Sequence, residues 1–120
     1  QYAHAPICSV FRQAEEQGIA LPGVEEVDLS VLNRESEYDL LTHLGRLEEE
    51  VGGAAEKFEP RRLIRYVFEL ASMFHSYYKA ERVITEDRKL TLARLALLGA
   101  VRIVVANVLR LIGVSAPERM

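Results

Sequence analysis

From Pro6 to Ile112, every long stretch of this chain spaces its apolar residues three and four apart. That period puts them on one side of an α-helix, and almost nowhere do apolar and polar residues alternate as in a half-buried strand. No Asn-Gly or Asp-Gly hairpin turn occurs. The expected fold class is therefore all-α, a helical bundle of about four main helices. At 120 residues the chain fits one domain, residues 1–120. Its 49% apolar and 28% charged content supplies both a core and a surface, which argues against disorder.

The helices can be placed from their caps and stripes. The first is expected over about 6–17, with Ile7, Val10, Phe11 and Ala14 inward and Gly18 ending it. Residues 18–35 read as irregular, with Asp28 and Ser30 as capping candidates. Ser36, with Asp39 three residues on, suggests the start of a second helix. Its stripe is Leu40, Leu44, Leu47 and Val51, and Gly52-Gly53 is expected to weaken or end it. Pro60 opens a third, about 60–80, with Leu63, Val67, Leu70, Phe74 and Tyr78 on the inner side. Thr85 is the expected cap of a fourth, about 86–112, and Gly113 its terminator. This last helix is apolar nearly all round, so it should be the most buried. Gly99 within it suggests a close helix crossing. Its run Leu95–Leu109 is interrupted by Arg102 and reads as too short and too charged to span a bilayer. No basic-then-apolar start resembles a signal peptide.

Charge is unevenly divided. Residues 1–59 hold 13 acids and 4 bases, while residues 60–120 hold 5 acids and 11 bases. The basic half suits phosphates; equally, the two halves could neutralise each other inside one fold.

Catalytic chemistry finds no support. There is no G-x-G-x-x-G, no G-x-x-x-x-G-K, no H-E-x-x-H and no Glu-x-x-His. His4, His43 and His75 are far apart and lack partners at ligand spacing, so no metal site is expected. Cys8 alone excludes an internal disulfide or a zinc cluster, and reads as a buried, inert thiol. Glu48-Glu49-Glu50 reads as a solvated face. Arg65 and His75 are too far apart for the arginine–histidine pairs of small helical ribonucleases. What stands out is residues 61–82, where aromatic and basic residues concentrate. Phe74-His75-Ser76-Tyr77-Tyr78-Lys79 combines stacking faces, hydroxyls and charge, the mixture that holds unstacked RNA bases. The pattern alone leaves open a helix whose aromatics are core and whose charges are merely solvated.

Three segments together carry a resemblance. They are Gln1-Tyr2-Ala3-His4-Ala5, Phe74-His75-Ser76-Tyr77-Tyr78, and Ala93-Arg94-Leu95-Ala96-Leu97 followed by the ending Gly113-Val114-Ser115-Ala116-Pro117-Glu118-Arg119-Met120. The chain resembles, over essentially its whole length, the C-terminal DALR anticodon-binding domain of arginyl-tRNA synthetases. The resemblance implies a fragment without an active site of its own. The catalytic domain, with its class I signatures, would be absent, and ATP would serve only the parent enzyme. It implies a cytoplasmic protein that docks the anticodon loop of an arginine tRNA, partnered by the catalytic domain of the same enzyme and by no membrane. The alternative is a helical protein-interaction module without RNA binding.

Matching family positions nominate Tyr2, Tyr78 and Met120 for the loop, with Arg82 and Asn107 as neighbours. Tyr77, Arg65 and Lys79 complete the expected tRNA-binding set, and Arg61 adds charge beside them. Three residues depart from the family's usual pattern. Pro6 stands where arginine is common, removing a donor and a charge and threatening the helix there. Glu81 replaces a small or thiol residue and puts negative charge near the expected site. Val108 replaces a common glycine.

Overall fold

The computed structural model describes residues 4–57 and 59–115. These form five α-helices: α1 (His4–Glu16), α2 (Glu35–Gly45), α3 (Leu47–Lys57), α4 (Pro60–Ala80) and α5 (Arg88–Ser115). Two short 3₁₀ turns, Val24–Glu26 and Leu29–Val31, lie in the connection after α1. Helix α4 packs on α2, α3 and α5, and α1 lies against α5. The 28 residues of α5 make a rod of about 42 Å, which sets the 46 Å long axis of the molecule.

The apolar stripes are found where the spacing puts them. Ile7, Val10, Phe11 and Ala14 are the buried face of α1, and Gly18 ends its turn at φ 76°, a value that costs a side chain energy. Pro6 sits in the first turn, where its missing N–H has no helical partner to lose. The helix therefore runs through it rather than breaking. Leu40 is fully buried, and Leu44, Leu47 and Val51 pack partly buried on the same core, so one stripe continues across the break at Arg46.

Several boundaries differ from expectation. Helix α2 begins at Glu35, and its capping carboxylate is Glu37 rather than Asp39: Glu37 Oε1 accepts the Arg34 N–H at 3.0 Å. Gly52 and Gly53 do not end α3, which continues to Lys57. Helix α5 starts at Arg88, and Asp87, not Thr85, caps it, its Oδ1 accepting the Leu90 N–H at 3.3 Å. Gly113 is inside α5.

Helix α5 is also less buried than its composition suggests. Ala93 and residues 95–98 are in the core with Val101, Val105 and Val108, but Ile103, Leu109 and Leu111 face outward. By length and mean hydropathy, residues Arg88–Gly113 reach membrane-spanning size, contrary to the sequence reading. A core helix of a bundle passes the same test, and the first half of α5 is such a helix. Gly99 makes no tight crossing: a Cβ there would meet Phe11 Cζ at an ordinary 3.8 Å.

Polar groups in the core are all partnered among the described residues. His43 and Tyr66 exchange bonds between α2 and α4. The Tyr66 hydroxyl donates to the His43 carbonyl at 2.7 Å, and His43 Nε2 donates to the Tyr66 carbonyl at 3.0 Å. Their rings stack at 4.3 Å. Glu50 and Arg62 join α3 to α4 at 2.9 Å. Since Glu37–Arg94 and Glu50–Arg62 each pair the acidic half with the basic half, part of the charge asymmetry is settled inside the fold.

Candidate nucleic-acid interface

Where α4 ends and α5 begins, the chain must reverse over residues 81–87. This loop and the outer flank of α1 enclose a cleft of about 620 Å³, within the usual range for small-ligand sites. Val10 and Gln13 of α1, with Gln17 just past its end, form one wall; Tyr78 and residues 81–86 form the other. Gln13 and Gln17 are one helical turn apart, so both amides project along one flank, and both are exposed.

Tyr78 is 37% exposed, with its ring stacked on buried Phe74 at 5.6 Å. Phe74 thus holds one face of Tyr78 while the rest of the ring reaches the cleft, which is how a stacking platform is stiffened. Arg82 is exposed on the same wall. Glu81, expected to weaken the site, has its charge answered: Oε1 lies 3.5 Å from both Arg94 Nη2 and Arg34 Nε. Across from an aromatic ring, the glutamine amides can both donate to and accept from a base edge, while the carboxylates can only accept.

The expected residues divide into groups. Tyr78 and Arg82 come together in the cleft, with Lys79 exposed beside them at the end of α4. Arg65 is exposed on α4 but about 20 Å along the helix from Tyr78. Arg61, Arg65 and Lys79 share one outer side of α4, and Phe68 stands among them at 59% exposure. Among the described residues, none of Arg61, Arg65, Lys79 and Arg82 forms an ion pair with a carboxylate. Asn107 is exposed on α5 but does not line the cleft. Tyr2 and Met120 lie outside the described residues.

Tyr77, expected in the tRNA-binding set, lies in the core instead. It is wholly buried, and its hydroxyl donates to Glu37 Oε2 at 2.6 Å. Burial, and then that bond to a carboxylate, push its phenol far above the ordinary range, so it cannot meet a loop base. The inner side of α4 is Leu63, Tyr66, Val67, Leu70, Ala71, Phe74 and Tyr77, one position round from the stripe that placed Tyr78 inside. Cys8 is only half-buried, with Sγ 3.5 Å from His4 Nε2. Among the described residues, no group of three His, Cys, Asp or Glu side chains could hold a metal.

Sequence reasoning missed Gln13, Gln17, Phe68 and the Glu37–Arg94 pair. Gln13 and Gln17 carried a signal, being the polar i, i+4 pair beside the α1 stripe. Glu37 and Arg94 carried none, being charged residues 57 positions apart.

The profile of the DALR anticodon binding domain matches residues 1–120. The arginine–tRNA ligases of Syntrophotalea carbinolica and Symbiobacterium thermophilum are 52% and 50% identical over the whole chain. That of Bacillus pumilus is 52% identical, again across the whole chain. The chain spans 22% of the length of each of these relatives. No solved structure matches it.

Proposed function

We propose that this chain, which belongs to the DALR anticodon binding domain family, docks an anticodon loop in the cleft between α1 and the 81–87 loop. The observation that carries the reading is the half-exposed, Phe74-backed ring of Tyr78 beside Arg82 in that cleft. A loop base stacks on Tyr78, the Gln13 and Gln17 amides meet its edge, and Arg82 and Lys79 hold the adjoining phosphates. Phosphate contacts set position and base contacts set sequence. Arg65 and Arg61 serve backbone farther along α4.

The relatives' names favour an arginine tRNA as the RNA, and the central anticodon cytosine is, in this reading, the base read. Arginine attachment, and the ATP it uses, belong in this reading to the remainder of a cytoplasmic ligase chain, the domain's other partner. The domain itself binds and does no chemistry.

The test is titration with an arginine-tRNA anticodon stem-loop, beside one with the central cytosine replaced, at two salt concentrations. Preference for the unaltered loop is expected. If four phosphates are neutralised, log affinity should fall with log salt at a slope of roughly −3. Tyr78→Ala should weaken binding roughly 5- to 150-fold, the worth of one stacked base, with the thermal midpoint little changed. Equal affinity of that variant and the parent for the stem-loop would remove Tyr78 from the site. No binding by the parent chain would overturn the reading.

A further inference from the structure

One wall of the cleft is the 81–87 loop, and where its side chains point depends on where its backbone is held. Two residues of α5 hold it. Arg94 Nη1 donates to the Arg82 carbonyl at 2.6 Å. The Thr91 hydroxyl accepts the Thr85 N–H at 2.8 Å and donates to the Thr85 carbonyl at 3.1 Å. Thr91 and Arg94 are three residues apart on one face of α5 and only 2% and 4% exposed. Between their two attachment points, Val83 is buried in the core. Arg94 is itself fixed by Glu37, whose Oε2 accepts from Arg94 Nε at 2.7 Å and from the Tyr77 hydroxyl at 2.6 Å. Neither Thr91 nor Arg94 lines the cleft.

We propose that Thr91 and Arg94 are positioning residues for RNA docking: they pin the loop backbone at Thr85 and Arg82 so that this wall of the cleft closes on the anticodon-loop base stacked on Tyr78, with Arg82 at its adjoining phosphate. The inference rests on the docking reading above. The residue types suit the task. A guanidinium presents several donors in one plane and reaches Glu37, the Arg82 carbonyl and Glu81 at once, which a single ammonium cannot. A threonine hydroxyl is donor and acceptor together, so one side chain secures both the N–H and the carbonyl of Thr85; valine has the same shape and neither function.

The test compares Thr91→Val, Thr91→Ser and Arg94→Lys with the parent chain. It measures amide hydrogen exchange along the chain and affinity for the two stem-loops. In Thr91→Val and Arg94→Lys, exchange should quicken at residues 82–86 while the amides of α4 stay protected. Affinity for the unaltered loop should fall about tenfold, comparable to losing one stacking contact. The preference over the altered loop should shrink, and the salt slope should fall by no more than about 0.7, the share of the one phosphate contact that Arg82 makes. Thr91→Ser should restore all of these. A merely structural role would instead quicken exchange throughout α4 and α5 and leave the preference intact. Unchanged exchange at 82–86, or variants that discriminate as the parent does, overturn the proposal. A parent chain that binds neither loop overturns the docking reading and this proposal together, a result distinct from failure of the clamp alone. If Arg94→Lys does not fold, the Thr91 pair decides the question.

Discussion

Glu37→Ala removes a wholly buried carboxylate on which three parts of the chain converge. It accepts the Arg34 N–H at 3.0 Å, the Tyr77 hydroxyl at 2.6 Å and Arg94 Nε at 2.7 Å. After the substitution, the Arg94 side chain, 5% exposed, keeps only Glu81 at 3.5 Å as an opposing charge. The Tyr77 hydroxyl is left in the core without its acceptor. Removing one partner of a buried pair costs about 3–5 kcal/mol, because the other charge stays desolvated and unanswered. A chain of this length holds roughly 6–18 kcal/mol in total, so the loss is a large share of what keeps it folded. In a urea titration followed by far-ultraviolet circular dichroism, the midpoint should fall by about 1–3 M with little change in slope. Glu37→Gln keeps the volume and an oxygen acceptor but loses the charge, so its midpoint should lie between the two. A double-mutant cycle with Tyr77→Phe should return a coupling of about 0.5–3 kcal/mol. If Glu37→Ala unfolds within about 0.3 M of the parent, the network is not holding α2, α4 and α5 together and the reasoning fails.

Gly99→Ala should raise stability by about 0.5–1 kcal/mol, since the added Cβ meets Phe11 at ordinary contact distance in mid-helix; a lower thermal midpoint would mean α1 and α5 approach more closely than described. Burial pushes the Tyr66 phenol up to about 12, against about 10 in an unfolded chain. The folded chain therefore keeps a proton that the unfolded one releases, so this stability is complete below about pH 10 and is lost as pH rises towards about 12. Thermal midpoints across that range should fall, and should fall less in Tyr66→Phe; parallel curves would refute the assignment. Neutralising Arg61 and Arg65 together as glutamines should reduce the salt slope of stem-loop binding by roughly 1.5 units and leave base preference alone. An unchanged slope would show that the RNA does not run along α4.

Much of the fold was legible because burying an apolar stripe is a local, periodic requirement. Ile7, Val10, Phe11 and Ala14 announced α1, and Pro60 announced the start of α4. Boundaries were harder. Ser36–Asp39 and Arg34–Glu37 both offer capping chemistry one turn wide, and the choice fell to Glu37 because its carboxylate also binds Tyr77 and Arg94. Glycines misled for a related reason: Gly52 and Gly113 each weaken a helix by about 1 kcal/mol against alanine, too little to end one whose neighbours are packed. Tyr77 and Tyr78 were transposed because adjacent residues lie 100° apart on a helix, and the stripe of α4 is wide enough to admit either.

Hydrophobic spacing acts within a single element, so the order of residues was enough to make this chain a bundle of helices and to set which side of most of them turns inward. It also carried the family, through motifs read in linear order. It took the packing of the helices to make Glu37 and Arg94 a buried pair, to pin the 81–87 loop to α5, and to set Gln13 and Gln17 across the cleft from Tyr78. Hydrogen bonds and ion pairs act over about 3 Å in space, and nothing in the order of residues says which charges, 57 positions apart, will meet at that distance.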